Sequence, residues 1–192
     1  MTNFEICYMN TNQLEGGYAN NKNDRGGETY RGIARKFWNE WPGWKIIDAA
    51  KTAKNFPECL DENEMLQQLI HSFYHVEFWN EINGDQITNI DVAKEVYDNA
   101  VNLGVGTSIR YLQRSLNVLN RNQIKYDDVV VDGDMGRKTL LAIDQCIKVN
   151  GVKRLVNVIN AFQIKHYLEL MEKNPTQEEF VGWLYRVTIS WS

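Results

Sequence analysis

Apolar residues recur at helical spacing through most of the chain. Phe4, Cys7, Thr11 and Leu14 follow one helix face, and Thr2 and Glu5 have the spacing of a capping box, which predicts a helix from about Asn3. Ala34 to Trp41 reads as a short helix ended by Pro42-Gly43. Trp44 to Asn55 gives another, with Ile47, Ala50 and Lys54 on one side and Pro57 breaking it. Asp61 and Glu64 repeat the capping-box spacing ahead of a long helix to about Asn80, whose broad stripe of Met65, Leu66, Leu69, Ile70, Phe73 and Val76 predicts central burial. Further helices are expected from about Asp91, from Thr107 as a cap (Ile109, Leu112, Leu116 and Leu119 inward), and from Val149 to Lys173. The best candidate for a strand or an extended segment is the short run from Asp127 to Gly133. The pattern predicts a mainly α protein with two sub-regions, 1–87 and 88–192. No Pro/Gly/Ser linker separates them, so they are expected to pack rather than hinge.

The helical pattern is interrupted between Glu15 and Ile33. Five of the 13 glycines fall there, in an arrangement that suggests tight turns. The same stretch holds Glu15, Asp24 and Thr29: two carboxylates and a hydroxyl in a polar, turn-rich segment. Glu15 lies three turns after Phe4 and points nearly the same way. An apolar face disfavours its charge, and so does the negative end of the helix dipole before Gly16-Gly17. Both effects raise a carboxyl pKa, as a general acid requires. The plainer alternative is a surface glutamate that ends a helix.

Charge and composition narrow the partners. The net charge is −4, so no overall basic field draws the chain to nucleic acid. Residues 22–54 carry eight Lys/Arg against four Asp/Glu, and residues 55–98 carry ten Asp/Glu against one Lys. The first stretch is either a basic patch for an anionic polymer or a solvated face. The six Trp and nine Tyr suit both cores and sugar-binding clefts. Cys7, Cys59 and Cys146 form no metal or disulfide pattern. His71 and His75 stand four apart, but Ser72 occupies the place of the glutamate in a zinc-protease helix, so a structural pair is expected. The loop from Asp132 lacks the last carboxylate of a calcium loop, since Asp144 is short and one residue late. No metal or cofactor is expected.

The motifs carry a resemblance. Glu15-Gly16-Gly17-Tyr18, Asn20, Asp24-Arg25-Gly26-Gly27-Glu28-Thr29 and Gly32-Ile33 resemble the signature of the glycoside hydrolase family 108 muramidases, cell-wall lysozymes of which some are labelled secretion activators. Tyr74 to Trp79, the Tyr97-Asp98-Asn99-Ala100-Val101-Asn102-Leu103-Gly104 element and the Gly182-Trp183-Leu184-Tyr185-Arg186-Val187 ending resemble further parts of that family, in family order. The Asp132-Gly133 to Thr139 loop resembles the turn of peptidoglycan-binding helical modules. The order Glu15, Asp24, Thr29 also looks like the catalytic order of the T4-type phage lysozymes, although the glycine loop differs. Departures are Tyr30-Arg31 before Gly32, a polar insertion at Asn120 to Tyr126, and Met135 in the second loop.

The resemblance implies a lysozyme-like helical fold. Residues 1–87 would be the catalytic region, and residues 88–192 a packed, peptidoglycan-binding-like helical region. Glu15 would be the catalytic acid. Asp24, ionised beside Arg25, would serve as base or electrostatic stabiliser, and Thr29 would position water. Tyr18 and Asn20 would face substrate or brace the loop. Arg31 would pair with Asp24 or with a substrate carboxylate. Asp98 and Asn102, one helical turn apart, either line a sugar-binding cleft or support the catalytic loop by hydrogen bonds. The partner would be the glycan strand of peptidoglycan. Two other readings stay open: a lytic transglycosylase using Glu15 alone, and a non-enzymatic wall-binding secretion accessory. The opening residues lack a signal-peptide pattern, and no apolar run reaches the roughly 18 residues of a membrane span. The expectation is synthesis in the cytoplasm and exit through a phage holin or a dedicated export system.

Overall fold

Thr2 and Glu5 start the first helix as their spacing requires. Glu5 Oε2 accepts from the Thr2 N–H at 2.6 Å, and Thr2 Oγ1 accepts from the Glu5 N–H at 3.2 Å. Helix α1 runs Asn3–Asn12, with Phe4, Cys7 and Thr11 buried. The computed structural model describes residues 1–12, 16–20, 27–174, 182–185 and 187–189. It divides into two compact units: residues 8–77, and residues 1–7 with 78–192. The fold is mainly α with a small three-stranded sheet, in keeping with the lysozyme-like expectation. No described helix is long and apolar enough to cross a membrane.

In the unit of residues 8–77, strands β1 (Tyr18–Asn20), β2 (Glu28–Tyr30) and β3 (Ile33–Ala34) form an antiparallel sheet in the order β1-β2-β3. This corrects the expected helix over Ala34 to Trp41. Ala34 is instead spent on pairing with Thr29, and residues 35–41 continue as turns. Pro42 precedes helix α2, Gly43–Ala50, which buries Trp44 and Ile47 and stops five residues short of the expected end. Each of those large side chains contributes roughly 1.5–3 kcal/mol by leaving water. Helix α3, Glu64–Tyr74, packs on α2 and buries Leu66, Ile70 and Phe73. Met65 and Val76, placed in the stripe by spacing, are exposed. The cap of α3 is Asn63, whose Oδ1 accepts from the Leu66 N–H at 2.9 Å, and not Asp61. The helical path continues as a wider π-type turn over His75–Asn80.

The other unit is helical. A 3-10 turn at Gly84–Gln86 leads to α4, Ile90–Leu103, capped by Asn89, which accepts from the Asp91 and Val92 N–H groups. Helix α5 is Val105–Leu119, so Thr107 lies inside it and is not the cap. Helix α6 is Arg137–Asn150, and α7, Val152–Lys173, is the helix expected from Val149, starting three residues later. The break is Gly151, whose φ of 81° lies in the left-handed region. Helix α4 packs on α5 and α7, α5 on α6 and α7, and α6 on α7. The core includes Val96, Tyr97, Ile109, Leu112, Leu116, Ile143, Leu155 and Ile159. Phe4, Trp79 and Tyr97 meet with ring centroids 5.7–6.1 Å apart. A short helix α8, Gly182–Tyr185, packs on α7.

The valine run of Asp127 to Gly133 is not a strand. Its backbone finds a side chain instead: Asn117 Oδ1 accepts from the Val129 N–H (2.9 Å), and Asn117 Nδ2 donates to the Val129 carbonyl (2.8 Å). Val130 and Val131 are left exposed.

Glu95 of α4 is a carboxyl set into this helical packing. Asn99 Nδ2 donates to its Oε1 at 2.9 Å, while the Asn99 and Asn160 Oδ1 atoms are buried and accept nothing among the described residues. Burial first, and the neighbouring Asp98 carboxylate second, push its pKa up from 4.5 to about 7. A raised carboxyl pKa favours folding while the unfolded chain is also protonated. That contribution is full below pH 4.5 and is lost as pH rises toward 7. Glu95→Gln should therefore flatten the pH dependence of stability between about pH 4.5 and 7. It should raise stability above pH 7, by up to roughly 3 kcal/mol. Urea unfolding across that range checks this, and an unchanged slope would contradict it.

Candidate active site

The sheet that carries the glycine-rich motif is fixed by its turn. Arg31 and Gly32 join β2 to β3 with φ of 47° and 77°. Positive φ at both central positions is the signature of a type I′ hairpin, and Gly32 takes it without steric cost. Arg31 does pay such a cost, and it is tied down on several sides. The Tyr74 hydroxyl donates to its carbonyl at 2.7 Å, and its guanidinium donates to Asp61 Oδ1 at 2.7 Å. The Tyr30 hydroxyl donates to the same Asp61 oxygen at 3.0 Å and accepts from Gln67 Nε2 at 3.1 Å. Arg31 first, and Tyr30 after it, hold the Asp61 carboxyl below the usual carboxylate range.

Register assigns the side chains of the paired residues to faces. Tyr18 lies opposite Tyr30, Asn20 opposite Glu28, and Ala19 opposite Thr29, while Ala34 lies opposite Thr29 on the other side. Directly paired residues share a face and successive residues alternate. One face therefore carries Tyr18, Asn20, Glu28 and Tyr30, and the other carries Ala19, Thr29 and Ala34.

The first face is anchored by charge. Glu28 accepts from Arg35 (2.8 Å), Lys51 (2.7 Å) and the Tyr18 hydroxyl (2.9 Å). Arg35 also grips both oxygens of Asp48, at 2.8 and 2.6 Å, and Lys51 reaches Asp48 at 2.7 Å. Burial works against the Glu28 charge, but Lys51, Arg35 and Tyr18 outweigh it and hold its pKa below the ordinary value. Arg35 and Lys51 depress Asp48 further. The Tyr18 ring meets the Phe56 ring edge-on at 4.7 Å, and Arg35 lies 5.2 Å over the Trp44 ring.

The second face carries only small side chains. Thr29 is half-buried between two alanines, and its hydroxyl has no hydrogen bond to another described residue. This arrangement can offer a hydroxyl to water or substrate. Tyr18 and Asn20 stand on the opposite face, with Tyr18 engaged as a brace and Asn20 exposed. Arg31 is placed on Asp61. Asp98 and Asn102 belong to α4 in the other unit, both half-buried, and Asn102 Nδ2 donates to the Asp98 carbonyl at 2.7 Å. Glu15 and Asp24 lie outside the described residues. The Tyr8 ring meets His71 edge-on at 5.1 Å. Among the described residues no group of three or more His, Cys, Asp or Glu side chains is placed to hold a metal ion.

The sequence reading gave no site role to Glu28, Arg35, Asp48, Lys51 or Asp61. A signal existed for Glu28, which sits inside the Asp-x-Gly-Gly-x-Thr motif in line with Tyr18.

Comparison with known proteins adds the following. Residues 8–104 match the model of the family described as Glycosyl hydrolase 108, and residues 107–188 match that described as Predicted Peptidoglycan domain. The solved structure of Brucella abortus SagA is similar over 94% of this chain and 95% of that one, with 21% identity and a TM-score of 0.57, which speaks to fold alone. No curated protein matches the sequence.

Glu28→Gln removes the charge that Arg35 and Lys51 converge on. It should cost about 1–3 kcal/mol, seen as a drop of roughly 2–10 °C in Tm. In the wild type the stability from the depressed Glu28 and Asp48 pKa values is present above their ordinary values and lost as pH falls through the lowered ones. The variant should lose the Glu28 share of that acid sensitivity. Thermal unfolding at pH 7 and pH 3 measures both, and equal Tm values for the two proteins at pH 7 would refute the anchoring role.

Proposed function

Because the chain belongs to the glycosyl hydrolase 108 family, with a peptidoglycan domain in its second half, we propose that it is an N-acetylmuramidase that cleaves the glycan backbone of the bacterial cell wall. The bond cut lies between N-acetylmuramic acid and N-acetylglucosamine. Residues 1–87 form the catalytic region, and residues 88–192 direct it to the wall. The protein reaches its substrate through a holin or an export system, in phage lysis or in wall remodelling for secretion.

Glycoside hydrolysis needs a proton for the leaving oxygen and a water delivered to the sugar. Glu15 is the general acid. Asp24 is the base or electrostatic stabiliser. Thr29 holds the attacking water. The observation that carries this reading is the unspent Thr29 hydroxyl on the face of the sheet lined by Ala19 and Ala34. Both cross-strand neighbours of Thr29 are small, while Tyr18, Glu28 and Tyr30 on the other face are engaged in hydrogen bonds. With Asp24 and Thr29 gripping a water opposite Glu15, the reaction inverts the anomeric centre. A lytic transglycosylase needs no attacking water, so it gives the Thr29 hydroxyl no task.

Turbidity clearing of purified peptidoglycan, with mass spectrometry of the products, tests this. The wild type should clear the wall and leave reducing muramic ends. Glu15→Gln should lose activity by about 10²–10⁴-fold while still co-sedimenting with the wall. Anhydro ends would replace the hydrolase by a transglycosylase. Full clearing by Glu15→Gln would remove Glu15 from the mechanism. Sedimentation without clearing by either protein would leave a binding module.

A further inference from the structure

The helical unit contains a cavity of about 430 Å³ between residues 126–129 and helix α6. Its lining is mixed. Asp127 and Asp128 bring carboxylates, Lys138 brings an ammonium, and Val129, Leu141 and Ala142 bring an apolar wall. The walls are held in place by the fold. Asn117 pins both backbone groups of Val129, and the buried Tyr126 donates its hydroxyl to the Leu116 carbonyl at 2.8 Å. Asp128 Oδ1 accepts from Asn120 Nδ2. Asp127 and Lys138 are exposed, and none of the ion pairs among the described residues uses either. Leu141 leaves 52% of its surface open although it is a large apolar side chain.

We propose that this cavity binds the stem peptide of peptidoglycan at the side-chain end of its diaminopimelate residue. This rests on the reading that the chain acts on peptidoglycan. The glycan strand offers hydroxyl and acetamido groups, and binding sites for such groups commonly present an aromatic face. Here Tyr126 is 5% exposed and offers none. The stem peptide offers different chemistry: methyl groups from its alanines, and charge at its diamino acid. A diaminopimelate side chain ends in an ammonium and a carboxylate on one carbon. Asp127 and Asp128 match the ammonium, Lys138 matches the carboxylate, and Leu141, Ala142 and Val129 match the adjacent alanyl methyl. A lysine at that position of the peptide has the ammonium alone, so Lys138 is the residue that discriminates between the two wall types.

The test is titration of the full-length chain, by calorimetry or NMR, with two free stem tetrapeptides that carry no sugar. One contains diaminopimelate and the other lysine in its place. The wild type should bind the diaminopimelate peptide about fivefold more tightly, the size expected of one solvent-facing ion pair. Lys138→Gln should erase that preference and leave the affinity for the lysine peptide unchanged. Asp127→Asn should weaken both peptides by about two- to fivefold. Both substitutions are at exposed positions, and circular dichroism checks that the helices persist. No binding of either peptide by the wild type, or a preference that survives Lys138→Gln, would overturn the proposal. Because the peptides lack sugar, their binding is independent of wall lysis. Peptide binding without lysis would sink the muramidase reading alone, and lysis without peptide binding would sink the cavity assignment alone.

Discussion

A single carboxylate, that of Glu28, takes donors from three parts of the chain: the Tyr18 hydroxyl on β1, Arg35 just past β3 and Lys51 just past α2. The sheet it serves has strands of two or three residues, far too short to persist on their own pairing. What keeps them in register is this charged cluster on one face, together with the Asp61 knot that closes the Arg31-Gly32 turn. The same register decides what the opposite face can do. A slip of one residue would turn Thr29 toward the charges and Glu28 toward the face of Ala19 and Ala34. The chemistry assigned to Thr29 thus depends on a salt-bridge cluster that the substrate need not touch.

The helices were legible wherever their apolar period was long and capped by local chemistry. The Thr2–Glu5 box starts α1 as its spacing implies, and Leu112 and Leu116 face inward on α5. Legibility failed where the deciding partner was not local. Ala34 looked helical beside Arg35 and Lys36, yet the hairpin across Arg31-Gly32 claimed it for β3. Asp61 had the spacing of a cap, but Asn63 sits nearer the helix start, and Asp61 went to the Tyr30 and Arg31 side chains. The three valines at 129–131 had strand composition, but the Asn117 amide took the place of a neighbouring strand. The helix expected from Val149 starts at Val152 instead, because Gly151 in the left-handed region separates it from α6.

For the candidate site the sequence supplied residues and the coordinates supplied their surroundings. The motif named Thr29 and Tyr18 through their spacing and through family resemblance, whereas the roles of their neighbours needed coordinates. No periodicity links Glu28 to Lys51 or Tyr18 to Phe56. In the helical unit the Asp132 loop shows the same division of labour. Its shape is set by Gln113 of α5, which donates to Asp132 Oδ1 at 2.7 Å and accepts from the Gly133 N–H at 3.0 Å. That loop leads into α6, whose first turns line the cavity assigned to the stem peptide. In both units a buried or half-buried polar side chain fixes a loop, and the residues proposed to meet a ligand stand beside that loop.

The central claim is that a water held by Thr29 and Asp24 attacks the sugar while Glu15 protonates the leaving oxygen. The most direct measurement is the anomeric configuration of the first-formed product, followed by NMR on a soluble, uncrosslinked glycan chain before mutarotation. The bond cleaved is β, so attack by a water on the far face predicts the α anomer at the new reducing end. A β anomer formed first would mean that the protein itself is the nucleophile, or that water arrives from the leaving-group side. Either result would contradict the role given to Thr29.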